Sequence, residues 1–284
     1  MILVDLNQVM ISNLMVQLGN QAGELDESLF RHMILNSLRS NRTKFTNKFG
    51  ELVICCDDKN FWRKQRYPYY KANRKKNRDQ SGVDWSTVFN TLNKVREEIK
   101  EYFPYKVIKI DTAEADDVIG TIVTKYHTTE PILILSGDKD FIQLHKFKDV
   151  KQYDPVHKRF LKDKSPEQYL IEHIAKGDRG DGVPNYLSAD DTFVIEGGRQ
   201  KPLRAKYIEV LGNNIDNIEE KFEDEELKRG WMRNRMLIDL SYIPQEIQSK
   251  VVESFDQPTN NRSKLFNYFV KHKLKHLMGD ISEF

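Results

Sequence analysis

Apolar positions are spaced differently in the two parts of this chain. Up to about residue 154, short runs of strand length are separated by longer stretches of helical period; the runs include Ile2-Leu3-Val4, Leu52-Val53-Ile54-Cys55-Cys56 and Ile132-Leu133-Ile134-Leu135. This pattern predicts strands at 1–5, 51–57, 106–110, 131–135 and 150–153, with helices at about 26–44, 84–102, 114–127 and 140–146. Strands spaced by helices build a mostly parallel sheet flanked by helices, an α/β class. From Ser165 the strand signals fade. Ser165, Pro166 and Gln168 read as a helix start with a capping box, and Gly177 can end that helix after Lys176. Further helices are expected near 202–211, 223–238, 244–254 and 262–278. The chain thus divides into an α/β core, 1–164, and a mainly helical C-terminal domain, 165–284. Residues 59–83 show no clear apolar period. They are too long for an ordinary strand–helix connection, which invites a functional reading and an expectation of partial order.

Carboxylates sit at the carboxyl ends of the apolar runs. Asp5 follows Ile2-Leu3-Val4 and Asp57 follows Leu52–Cys56; Glu114, Asp116 and Asp117 follow Val107-Ile108-Lys109-Ile110, and Asp138 and Asp140 follow Ile132–Leu135. Asp178 and Asp181 lie in a later glycine-rich loop. Most have a local explanation, but Asp5 at a buried strand end does not, since an unpaired carboxylate there is costly. Asp111 with Glu114 is a possible capping box, Asp116 and Asp117 suit a positive helix end, and Asp138 suits an N-cap. Asp57 with Asp58, and the 178–181 loop, read as turns. On a helical wheel Ala115, Val118, Ile119 and Ile122 share one face, flanked by Glu114 and Asp116, while Asp117 points away. What the local readings do not explain is the recurrence at four strand ends, where open α/β sheets bind ligands. Carboxylates converging there would repel one another unless a hard cation held them together. The Asp138 stretch is not an EF-hand, because Ile142 occupies the fifth position. Oxygen ligands without a Cys or His cluster favour magnesium or manganese over zinc, and two such ions suit phosphodiester hydrolysis.

Charge sharpens this picture. The 284 residues carry 45 Lys and Arg against 43 Asp and Glu, a net charge of only +2. Yet residues 59–78 hold Lys59, Arg63, Lys64, Arg66, Lys71, Arg74, Lys75, Lys76 and Arg78 and no acid. Phe61, Trp62, Tyr67, Tyr69 and Tyr70 are interleaved among them. Cations with stacking rings fit single-stranded or frayed nucleic acid better than a disordered basic tail does. A second acid-free stretch, Arg262 to His276, carries an apolar stripe and reads as a packed helix with a solvated cationic face, duplex contact being secondary. His272 and His276 are four apart, and a solvated pair is favoured over a metal site. Adjacent Cys55 and Cys56 point to opposite sheet faces and are expected as reduced, buried thiols. No apolar run approaches membrane-spanning length and Met1 leads almost directly into a strand, so a cytosolic protein without a membrane association is expected.

Three stretches carry a likeness to a known family: Ala113-Glu114-Ala115-Asp116-Asp117-Val118-Ile119-Gly120, Ser136-Gly137-Asp138-Lys139-Asp140-Phe141-Ile142-Gln143-Leu144, and Tyr70-Lys71-Ala72-Asn73-Arg74. With Lys176-Gly177-Asp178 and Asp181 behind them, they resemble the 5′-nuclease family of flap endonucleases, phage 5′-exonucleases and the 5′-nuclease domain of bacterial DNA polymerase I. Phe30-Arg31-His32-Met33-Ile34-Leu35-Asn36-Ser37, Phe266-Asn267-Tyr268-Phe269-Val270-Lys271 and Ile281-Ser282-Glu283-Phe284 extend the likeness over the whole length, toward the phage ribonuclease H branch. That branch does not have the ribonuclease H fold.

The resemblance implies roles. Asp5, Asp57, Glu114 and Asp116 match a first metal site, with Asp117 close by; Asp138 lies between the sites, and Asp140, Asp178 and Asp181 match the second. The implied cofactor is two Mg2+ ions, replaceable by Mn2+. Lys71 and Arg74 match catalytic cations that steer the scissile phosphate, and Tyr70 a ring that stacks on a terminal base. Arg63, Lys64, Arg66, Lys75 and Lys76 join them as nucleic-acid contacts. The implied activity is 5′→3′ exonuclease and flap cleavage on RNA·DNA and DNA·DNA duplexes, for primer removal in phage-type replication. Implied partners are flap, forked or nicked DNA, RNA·DNA duplex, a single-strand-binding protein and a sliding clamp, the protein itself being a monomer. Many relatives carry a Gly-Ile-Gly hairpin that holds potassium and grips the downstream duplex. Here Gly182-Val183-Pro184-Asn185 stands instead, so the likeness carries over neither the K+ site nor the hairpin geometry. Two readings of other classes compete: a non-catalytic branched-DNA-binding protein and a small-molecule phosphohydrolase, the latter disfavoured by the aromatic–basic segment.

Overall fold

The first strand made is the central one. In a computed structural model, which describes residues 1–20, 26–212, 215–259 and 261–284, β1 (Ile2–Asp5) pairs in parallel with β2 (Leu52–Cys56) on one side and β4 (Ile132–Leu135) on the other. β3 (Lys106–Lys109) extends the sheet beyond β2, and β5 (Val150–Asp154) beyond β4, also in parallel. β6 (Arg159–Leu161) closes the far edge antiparallel to β5, giving the order β3-β2-β1-β4-β5-β6. The sheet is the expected mostly parallel one. β6 escaped sequence reading because it is three residues long and carries a charge. Every residue of β1, β2 and β4 is buried, as apolar strands covered on both faces must be.

Helices fill both faces. α1 (Leu6–Asn20), α2 (Glu27–Phe49), α3 (Trp62–Arg66), α4 (Ala72–Asp79), α5 (Trp85–Tyr102) and α6 (Ala115–Tyr126) belong to the core. α1 was not expected. Its apolar residues run almost all round, from buried Leu6 and Met10 to exposed Met15 and Val16, which erases the one-sided stripe that betrays a helix. The basic segment, expected to be partly ordered, folds as α3 and α4. Lys139–Lys146 is a 3-10 helix. α7 (Pro166–Lys176) starts at the expected proline, but Ser165 makes no side-chain cap. α8 (Ala205–Glu209), α9 (Glu225–Ile238), α10 (Gln245–Asp256), α11 (Leu265–Lys271) and α12 (Lys275–Met278) follow. The single helix expected at 262–278 is broken where Lys273 turns left-handed, with φ 54°.

Three apolar clusters hold these layers. One sheet face packs α1, α2 and α5 together with α11 and the terminal turn, through Phe30, Phe103, Tyr268, Phe269 and Phe284. The other packs α6 against Leu240, Ile243, Ile247 and Val251. The third joins α7, α9 and the 183–187 stretch to Tyr67 and Tyr70 of the basic segment. Cys55 and Cys56 are free and buried, as expected. Among the described residues no helix is long and apolar enough to cross a membrane.

Candidate functional site

Between β1 and β4 the order of the strands reverses, which leaves a crevice beyond their carboxyl ends. Asp5 ends β1 there. Its carboxylate accepts from the Gln8 N–H at 3.1 Å and from the Ser136 hydroxyl, just past β4, at 2.9 Å. Asp57 follows β2 and accepts from the Ala115 N–H at 2.6 Å and from the Asn7 amide. That bond ties the start of α6 to the end of β2 and so delivers Glu114 and Asp116. Asp138 caps the 3-10 helix, accepting from the Asp140 N–H at 2.9 Å. Gln152, fully buried on β5, pins this turn by donating to the Ser136 and Asp138 carbonyls at 2.9 and 2.5 Å.

A second group of acids arrives from α7. Gly177 ends the helix at φ 68°, and a Cβ there would lie 2.4 Å from the Val183 carbonyl. The chain turns back, with the Val183 N–H donating to the Asp178 carbonyl at 2.7 Å, and presents Asp178 and Asp181. The basic segment is locked to this loop. The Lys71 N–H donates to the Asp181 carbonyl at 2.7 Å, and the Asn73 amide to the Arg179 carbonyl at 3.0 Å. Side-chain oxygens of Asp116, Asp138 and Asp140 lie within 4.8 Å of one another, as do donor atoms of Asp140, Asp178 and His173. Beside them opens a cleft of ≈ 450 Å³, lined by Gln8, Asp138, Asp140, Tyr169, His173 and Asp178 among others.

The electrostatics separate two kinds of acid. Burial, then the neighbouring Asp57, pushes the Asp5 carboxyl up to about 7. Burial, then Asp138, pushes Asp140 up to about 7 as well. Asp116 is raised well above the usual range by burial, Asp138 and Asp5, and Asp57 and Asp138 are raised chiefly by burial. Other acids already have cations. Burial would raise Glu114, but Lys71 and Arg63 outweigh it and hold it below its ordinary value. The His173 ring does the same for Asp178. Asp5, Asp116 and Asp140 are raised by neighbouring acids as well as by burial, against only partial relief from Lys71 and His173, and the donors gathered here are hard oxygens with one imidazole. Divalent cations fit such a donor set.

Most of the expected residues gather here. Lys71 and Arg74 stand at the mouth: Lys71 pairs with Glu114 and, at 3.5 Å, with Asp181, and Arg74 pairs with Asp181. Lys71 is left-handed at φ 56°. Three of the expected residues, Asp117, Arg63 and Tyr70, have other work. Asp117 turns away from the crevice, accepting from the Trp62 Nε1 at 3.0 Å and the Glu114 N–H at 2.9 Å, and pairing with Arg63 at 2.8 Å. Arg63, expected on nucleic acid, is 2% exposed; it also pairs with Glu114 at 2.9 Å and donates to the Leu237 carbonyl. Tyr70, expected to stack on a base, has a buried ring, and its hydroxyl bridges Glu114 and Asp181 at 3.0 and 2.9 Å. Lys64, Arg66 and Lys75 are exposed, as binding requires; Lys76 lies in α4 with its side chain outside the described residues. Sequence reading missed Asn7, Gln8, Ser136, Gln152 and His173. Asn7, Gln8 and Ser136 lie within three residues of predicted strand ends, and His173 lies about one turn before the end of α7, so their positions were the available signal.

Residues 17–173 match the family model described as 5′-3′ exonuclease, N-terminal resolvase-like domain, and residues 164–284 match the model of the T4 RNase H C-terminal part. The chain is similar to ribonuclease H of Enterobacteria phage T4, at 35% identity over 99% of this chain and 95% of that protein. It is similar to flap endonuclease Xni of Shewanella denitrificans, at 32% identity over 47% of this chain and 52% of that protein. Its fold is that of the T5 5′-exonuclease solved with bound divalent zinc, with a TM-score of 0.64 at 18% identity, covering 90% of this chain and 98% of that one.

Proposed function

From the premise that the chain belongs to the 5′-3′ exonuclease family, as a metal-dependent 5′-nuclease acting on nucleic acid, we propose that the crevice between β1 and β4 is its active site and holds two Mg2+ ions. The carrying observation is the convergence of carboxylates on one crevice, Asp5, Asp116 and Asp140 among them raised by their acidic neighbours, beside Lys71 and Arg74. Asp5, Asp57, Glu114 and Asp116 would hold the first ion, Asp140, Asp178 and Asp181 the second, with Asp138 between them. Bound there, such ions supply Lewis acidity and an ionised water for phosphodiester hydrolysis.

The chain's own residues do the rest. Lys71 and Arg74 orient the scissile phosphate and stabilise the charge that develops on its oxygens. They are held for that task by the interlock of α4 with the 178–182 loop. Tyr70 keeps Glu114 and Asp181 in register through its hydroxyl, and Arg63 holds Glu114 from behind. Lys64, Arg66 and Lys75 contact the backbone of the incoming strand. The reading extends to 5′→3′ exonuclease and flap cleavage on RNA·DNA and DNA·DNA duplexes, and to a monomer working with a single-strand-binding protein and a sliding clamp in the host cytosol. Within it, residues 1–164 form the nuclease core, and the helical domain 165–284 adds Asp178 and Asp181 to the site and carries the duplex-binding region. Family membership and the complete set of acids support catalysis over the branched-DNA-binding alternative.

A panel of 5′-labelled flap, nicked and RNA-primed duplexes tests this. We expect cleavage with magnesium and none without it. Asp138→Asn should abolish cleavage and leave flap binding within about threefold, since only a ligand oxygen is lost. Cleavage by that variant at the wild-type rate overturns the assignment.

A further inference from the structure

His173 belongs to no motif that pointed to the crevice, yet its ring stands inside it. The ring projects from α7 with its side chain only 15% exposed. Nδ1 lies 3.4 Å from Asp140 Oδ1 and Nε2 lies 3.7 Å from Asp178 Oδ2. Among the described residues, its donor set with those two carboxylates is one of the two groups close enough to share an ion, and the only one containing nitrogen. The other group, Asp116, Asp138 and Asp140, is oxygen alone. Tyr169 meets the ring edge-on at 5.9 Å between centroids, which limits how far the imidazole can swing.

We propose that His173 is a nitrogen ligand of the second metal centre and makes the two centres chemically unequal, the Asp140–His173–Asp178 centre preferring manganese-like cations over magnesium. The physical reason is ligand softness. Magnesium demands hard oxygens and gives up water reluctantly. Imidazole nitrogen favours later first-row ions, whose affinities rise along the series from manganese. An all-oxygen centre beside a mixed one therefore sorts the two cations, with Asp140 common to both donor groups. One ring nitrogen reaches the ion, and the other is left to a carboxylate, which fixes the tautomer and the ring's direction. The inference rests on the metal-site reading above and goes beyond it only in the ligand and the selectivity.

The test uses the full-length protein, stripped of metal and titrated with Mn2+ alone, without substrate. Pulsed paramagnetic resonance should show imidazole nitrogen modulation on bound Mn2+ in the wild type, and His173→Gln should remove it. Titration should show that variant losing roughly tenfold or more in Mn2+ affinity at one centre. Displacement by Mg2+ should change less than about threefold there, narrowing the preference. Bound Mn2+ with no nitrogen coupling in the wild type overturns the role of His173 while leaving the metal site standing. Wild-type protein that binds no Mn2+ overturns the metal-site reading itself. The wild-type spectrum needs no variant, so a poorly folding His173→Gln leaves the inference testable.

Discussion

At the scale of single residues, burial decides which charges do chemistry. Arg63 and Lys64 are neighbours, but Arg63 is sealed between Glu114, Asp117 and a main-chain carbonyl while Lys64 faces water. Removing Arg63 leaves two buried carboxylates short of their cation. We expect Arg63→Met to cost about 3–5 kcal/mol of folding stability in urea titrations. A loss confined to nucleic-acid affinity, with unchanged stability, would return Arg63 to the binding surface. The acids at 5, 57, 114, 116, 138 and 140 were legible in the sequence because each follows a strand-length apolar run. The helical wheel points Asp117 away, as the structure does, whereas the family likeness sets it near the metal site and Tyr70 on a base; the likeness does not report that the Asp117 carboxylate reaches back to the Glu114 N–H, or that the Tyr70 hydroxyl reaches across to Asp181. His173 was silent because a single histidine on an amphipathic helix looks like any other.

At the scale of elements, the contact between α4 and the 178–182 loop carries the site. Gly182 sits at φ 74°, where an added Cβ would lie 2.9 Å from the Tyr69 carbonyl. Gly182→Ala should therefore push the loop off the basic segment, destabilising the fold by about 1–3 kcal/mol. Lys71 moves with that segment, so single-turnover cleavage should fall further than the loss of folded protein accounts for. An active-site titration showing a normal rate per folded molecule would count against the interlock. The elements themselves were mostly readable, since β2, β4, α5 and α9 each show their own period. α1 and β6 were not, one for want of a polar face and the other for want of length. The Lys273 break between α11 and α12 has no glycine to announce it.

At the scale of the whole molecule, two global measurements report the site. Asp5 and Asp140 titrate near 7 in the folded protein, against about 4 for an unfolded aspartate. Between those values the folded state holds more protons, so their burial costs stability as pH rises through 4 to 7, and the full cost persists above. A divalent cation that binds the ionised carboxylates offsets it. Magnesium should therefore raise the thermal unfolding midpoint more at pH 8 than at pH 5, and equal shifts would contradict an ion held by these raised acids. The exposed cations report the other partner. Replacing Lys64, Arg66 and Lys75 together by alanine should flatten the log–log salt dependence of flap binding by about 2–3, one phosphate contact each. An unchanged slope would place the strand elsewhere. The strand order has one more consequence. The proposed ligands run from Asp5 to Asp181, and β1 gains its second neighbour only when β4 has been made. A nascent polypeptide therefore cannot complete the proposed site, and should leave the nucleic acid around it uncut, until the ribosome has passed residue 181.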